Sequence, residues 1–230
     1  MTQQRFIQAV AFDFDGLMFN TEDVFHLTGT ELLRRRGKIA TPELFHAMMG
    51  RRSHEAIQVM IDQMQLEETI EELSLESEQI FEAFLEHHLA PMPGLFELLE
   101  TIETRGIPKA VATSSSRSYL TRMLSKFQLL DRFDHLLSGD DVVHGKPHPE
   151  IYLTAARKLQ VRPEQMLVME DSENGTRAAV AAGAYVVSVP HDHSRHHNFN
   201  GAQGIAMTLN DPIIMNLFSE ERPDQNPGMI

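Results

Sequence analysis

The sequence predicts an α/β protein, with a Rossmann-like parallel sheet covered by helices on both faces and an inserted α-helical domain. Three observations predict it. Short apolar runs of strand length alternate with helical patterns from residue 91 onward, and such alternation builds a parallel sheet. Residues 17–90 break that alternation with four helical patterns and no convincing strand. The chain, at 230 residues, is long enough for one sizeable core that carries a smaller insertion. The core is therefore assigned to 1–16 and 91–230, and the inserted helical domain to 17–90.

The elements follow in order. RFIQAVAFDF is the first strand, apolar up to the pair Asp13 and Asp15 and followed by Gly16. Helical patterns then run over 22–36, 42–49, 53–63 and 67–88, and PMPG at 91–94 closes the stretch. PKAVATS, HLLSG, QMLVMED and AYVVSV are the remaining strands. Helices are predicted over 116–127, over 149–159 with a proline suited to its first turn, and over 175–182 ending at Gly183. The tail from residue 211 holds three prolines and reads as a loosely held end.

Composition excludes several classes. A formal charge of -13 with no basic run argues against nucleic-acid and anionic-membrane partners, which need clustered Lys and Arg. The chain contains no cysteine, so it has no thiolate nucleophile, disulfide or zinc-thiolate site. There is no leader-like segment near the start and no apolar run of spanning length, which points to a cytoplasmic protein, with a monomer as the default.

The chemistry collects at strand ends, where open α/β sheets bind ligands. Asp13 and Asp15 stand two residues apart, and carboxylates that close repel unless a cation intervenes or one is protonated. A hard divalent cation such as magnesium would satisfy them; an acidic turn is the alternative. Thr113 and the serines after it offer hydroxyls and backbone N–H groups suited to a phosphate, or a simple helix cap. Lys146 lies in HGKPHPE, where an exposed lysine is the plain reading, and Glu170 with Asp171 ends QMLVMED ahead of a helix.

Together, FDFDG, VATS, GKPHP and MED resemble the four motifs of the haloacid dehalogenase-like hydrolase superfamily, in order and approximate spacing, across essentially the whole chain. The resemblance implies a phosphatase of a small phosphorylated metabolite, a sugar phosphate or similar ester, that uses magnesium and a helical cap. It assigns Asp13 as the nucleophile that becomes an aspartyl phosphate and Asp15 as general acid and base. Thr113 and the Ser114 N–H would hold phosphoryl oxygens, and Lys146 would balance charge. Asp13, the Asp15 main-chain carbonyl, Asp171 and Glu170 would bind Mg2+.

Asp15 favours phosphoryl chemistry, since family members that release halide need no proton donor. Relatives of the β-phosphoglucomutase type are the alternative; they carry a histidine and an arginine at positions aligned with Phe25 and Ser53. Asn20 replaces the family's usual aspartate at the entry to the cap, where altered cap closure or leaving-group contacts are expected and not lost chemistry. Gly50, Arg51 and Arg52 form the expected substrate loop, with Arg117 a further substrate contact. His191, His193, His196 and His197 suggest a transition metal, but their spacing matches no ordinary closed zinc site.

Overall fold

The computed structural model describes residues 7–48 and 53–219. Residues up to Met18 together with those from Pro91 onward form one compact unit, and Phe19–Ala90 form a second.

The first unit is built on six parallel strands. These are β1 (Ala9–Phe12), β2 (Lys109–Ala112), β3 (His135–Leu137), β4 (Met166–Glu170), β5 (Tyr185–Ser188) and β6 (Gly204–Ile205), in the spatial order β3-β2-β1-β4-β5-β6. Every residue of β1 is fully buried, so its successive side chains fill both faces of the sheet. One face packs on the helices α7 (Glu150–Lys158) and α8 (Glu173–Ala181), where Ala9, Ala11, Ala110, Ala112 and Val168 meet Ile151, Tyr152, Ala178 and Ala179. The small strand residues let α7 approach closely enough to bury Tyr152 whole. On the other face Phe12 meets Phe133 edge-on at 5.8 Å.

Two further helices complete this unit's frame, α5 (Leu95–Thr104) and α6 (Arg117–Lys126). The sequence pattern had left α5 out. Its residues Leu95, Leu98, Leu99 and Ile102 recur at helical spacing and are all buried. The predicted helix at 175–182 begins two residues earlier, because Ser172 caps it by accepting from Gly175 N–H at 3.1 Å. Strand β6 was also unforeseen. The tail expected to be loose is packed as far as it is described: α9 (Pro212–Met215) is capped by Asp211, and Ile214 and Phe218 are buried.

The second unit holds α1 (Thr21–Arg35), α2 (Pro42–Met48), α3 (Ser53–Met64) and α4 (Ile70–His88). Thr69 and Glu72 form a reciprocal capping box that starts α4. Leu32, Leu33, Leu44, Ile57, Met60, Leu73 and Ile80 make its core. Gly29 lets α1 lie close to α2, since a Cβ there would sit 2.7 Å from the Phe45 ring. At the base of the unit the outgoing and returning chain are tied by Asn20: its Nδ2 donates to the His88 carbonyl at 3.1 Å and its Oδ1 accepts from Ala90 N–H at 2.7 Å. An aspartate could not make the first of these bonds.

Candidate active site

The strand register builds the site. Phe12 is level with Val111 on one side and Met169 on the other, which sets Asp13 at the sheet tip beside Ala112 and Glu170. Asp13 N–H donates to the Met169 carbonyl at 3.0 Å and fixes that position. The carboxyl ends of β2, β1 and β4 are adjacent, so residues roughly a hundred positions apart in sequence converge there.

Lys146 reaches into this tip from the loop before α7. Its Nζ ion-pairs with Asp13 Oδ1, lies 2.6 Å from Glu170 Oε1, and donates to the Ala112 carbonyl at 3.0 Å. Glu170 is fully buried; its Oε1 also accepts from the Tyr152 hydroxyl at 2.5 Å, and its Oε2 from the Ser172 hydroxyl at 3.0 Å. The lysine is held on several sides, and the carboxylate opposite it is saturated with donors.

Asp13, Glu170 and Asp171 bring their carboxylate oxygens within 4.8 Å of one another. Burial, then the Glu170 charge, pushes the Asp13 and Asp171 carboxyls well above the usual carboxylate range. Burial disfavours the Lys146 ammonium, but Asp13 and Glu170 outweigh it and hold the lysine firmly charged. When all three are ionised, three carboxylates face one ammonium and two negative charges go uncompensated. An all-oxygen set with that deficit fits one hard divalent cation of the magnesium type.

Asp15 turns its side chain to the hydroxyl turn after β2. Oδ2 accepts from Ser115 Oγ at 2.6 Å and Thr113 Oγ1 at 3.3 Å, and Oδ1 from the Tyr119 hydroxyl at 3.2 Å. Thr113, itself buried, accepts from Ser115 N–H at 3.0 Å, while the Ser114 carbonyl closes on Gly139. Arg117 is engaged elsewhere: it ion-pairs with Asp141, and its N–H donates to Asp140 at 2.8 Å. Gly50, Arg51 and Arg52 lie outside the described residues.

Asp171 has a partner the motifs did not name. His191 Nε2 lies 2.9 Å from Asp171 Oδ2, and His191 Nδ1 accepts from His193 N–H at 3.2 Å. A ring nitrogen that accepts carries no proton, so the proton is assigned to Nε2, which donates to the carboxylate. His197 instead accepts from Glu173 N–H at the start of α8. Among the described residues, the histidines of 191–197 form no three-donor metal group. Gly16 sits against the Asp171–His191 pair at φ +78°; a Cβ there would fall 2.5 Å from Asp171 Oδ2.

Gly175 is the tightest point. A Cβ on it would stand 1.7 Å from Glu170 Oε1. Gly175→Ala is expected to destabilise the protein by about 2 kcal/mol or more through overpacking, and to lower activity by displacing Glu170 and its lysine. Urea unfolding measures the first effect; a loss under about 0.5 kcal/mol means that the first turn of α8 gives way freely.

Comparisons with known proteins agree with this architecture. The chain is 32% identical over 181 residues to the phosphorylated carbohydrates phosphatase of Thermotoga maritima, covering 77% of this chain and 82% of that protein. It is 31% identical over 214 residues to (DL)-glycerol-3-phosphatase 1, mitochondrial, of Arabidopsis thaliana, covering 89% and 71%. Among solved structures it resembles CbbY from Rhodobacter sphaeroides in complex with phosphate, with a TM-score of 0.75 and 27% identity, over 91% of this chain and 99% of that one. The family model for haloacid dehalogenase-like hydrolases matches residues 10–189, well over half the sequence, and the chain belongs to that family.

Proposed function

We propose that the chain is a magnesium-dependent phosphoric monoester hydrolase acting on a small phosphorylated metabolite, a sugar phosphate or similar ester, through an aspartyl phosphate on Asp13. The observation that carries this reading is the buried tip where Asp13 meets Lys146 within a set of carboxylates short of two positive charges. Two relatives point the same way by their names, one acting on phosphorylated carbohydrates and one on glycerol 3-phosphate.

In the first step an Asp13 carboxylate oxygen attacks phosphorus and the bond to the ester oxygen breaks. Asp15, two residues on, gives its proton to that leaving oxygen. In the second step Asp15 takes a proton from water, the resulting hydroxide attacks phosphorus, and the Asp13–phosphorus bond breaks to release inorganic phosphate. Lys146 favours the ionised form of Asp13 before attack and orients it. Thr113 and the Ser114 N–H hold the phosphoryl oxygens at the start of the hydroxyl turn. Asp13, Asp171 and the Asp15 main-chain carbonyl would hold Mg2+, with Glu170 behind them, and the ion when bound supplies charge neutralisation between an anionic nucleophile and an anionic phosphate. The helical unit 19–90 is assigned the role of a cap that selects the leaving group.

The test is inorganic phosphate release from a panel of phosphorylated metabolites, with magnesium or with a chelator. Release that requires magnesium is expected, together with a rise in melting temperature when magnesium is added to the metal-stripped protein. The panel includes β-glucose 1-phosphate with parallel detection of glucose 6-phosphate. Isomerisation without phosphate release overturns the hydrolase in favour of a phosphomutase.

A further inference from the structure

We propose that His144, His148 and Glu150 form a binding site for a transition metal of the zinc class, on the loop that carries Lys146. One donor atom from each residue lies within 4.8 Å of the other two. His144 Nδ1 is 2.9 Å and His148 Nδ1 3.9 Å from Glu150 Oε2, and the two imidazole rings face one another with centroids 4.6 Å apart. A tetrahedral ion with bonds of about 2.0–2.2 Å spaces its ligands by roughly 3.3–3.6 Å. That spacing falls between the two measured separations, so small side-chain rotations close the set.

The loop is fixed before any ion arrives. The Glu150 carboxylate accepts from the backbone N–H of Val143 at 2.9 Å and of His144 at 3.0 Å, while Glu150 itself is the first residue of α7. His148 N–H donates to the Gly145 carbonyl at 3.0 Å. Lys146, midway between the two histidines, is anchored in the buried cluster. An ion binding here therefore orders little chain, and a preorganised set binds more tightly than one on a flexible loop.

The donor chemistry names the class of ion. Two imidazoles and one carboxylate, with a fourth position open to water, suit zinc and its neighbours such as nickel and copper(II). Magnesium prefers the oxygen-only set of Asp13, Glu170 and Asp171. The two centres should thus sort ions by ligand type. His144 and His148 have side chains 62% and 51% exposed, so zinc reaches them from solvent and their removal leaves the core intact.

The experiment is calorimetric titration of the untagged full chain with zinc chloride in saturating magnesium, which keeps the oxygen-only centre occupied. One zinc site is expected, weakened at least about tenfold by His144→Ala and by His148→Ala, since even residues that merely support a metal ligand cost that much. Glu150→Gln, which keeps the length and one acceptor oxygen but loses the charge and the second acceptor, is expected to weaken it as well. A triple variant, His193→Ala with His196→Ala and His197→Ala, is expected to bind zinc as the unmodified chain does. Melting temperatures without zinc check that every variant is folded. The proposal is overturned by absence of zinc binding up to millimolar concentration, by unchanged affinity when His144 and His148 are both replaced, or by loss of the site in the triple variant alone.

Discussion

Asp13→Asn is expected to lower phosphate release by at least about 10³-fold while the protein stays folded, because a nucleophile acts as part of a unit whose loss removes most of the rate advantage. Asparagine has nearly the same shape, and its amide cannot attack phosphorus as a carboxylate does. The stability expectation is unusual for a buried polar substitution. Asp13 is one of three carboxylates around a single ammonium, and burial with Glu170 already disfavours its charge. Removing that charge relieves repulsion, so the melting temperature without magnesium should hold or rise, and the stabilisation gained on adding magnesium should shrink. Activity within about tenfold of the parent chain would remove Asp13 from the nucleophile's role. Thermal scans with and without magnesium separate that outcome from misfolding.

Lys146→Met is the second large effect, with the opposite sign on stability. Methionine keeps most of the volume and leaves Asp13, Glu170 and Asp171 buried with no ammonium among them. Removing one partner of a buried ion pair costs about 3–5 kcal/mol, because the remaining charge has lost both water and partner. Urea unfolding in a chelator measures this loss. The same variant should gain more stability from magnesium than the parent chain does, since the ion then faces three uncompensated carboxylates. A loss below about 1 kcal/mol would mean that the carboxylates protonate without strain and that Lys146 does not organise the tip.

Much of this was legible in the sequence for a physical reason. The strands of a buried parallel sheet are apolar on both faces, so AVAF, KAVA and MLVME stand out as short runs, and the polar residues that follow them mark the tip. Asp13, Asp15 and Asp171 could be singled out because each ends or closely follows such a run, and Lys146 because it stands between a glycine and a proline in a loop ahead of a helix. The helix α5 is also readable, for Leu95, Leu98, Leu99 and Ile102 keep a helical period; the prolines before it end the helical stretch, and the first unit resumes at Pro91 and leads into α5. β6 has two residues and owes its place to backbone bonding with β5, which no periodicity records.

The supporting residues of the site were hidden for another reason. Ser115 and Tyr119 meet Asp15 across 100 and 104 positions, and Tyr152 and His191 meet their carboxylates across 18 and 20. Only the sheet order makes them neighbours. The histidines of 191–197 stand together in sequence, but the fold directs one ring to Asp171 and another to the start of α8. Gly175 carried a signal in hindsight, a glycine inside a helix's first turn where a better helix former would otherwise stand.

Asn20 gives the helical unit a fastening that no proton can undo. Its amide donates to one backbone carbonyl and accepts from one backbone N–H at once, and it does so without charge. A carboxylate in that position would accept well, repel the His88 carbonyl, and change its bonding as it titrated. These two bonds join the segments without a titrating group of their own, so the acid response of this protein is left to its carboxylates and histidines and not to the pair of backbone bonds where the helical unit begins and ends.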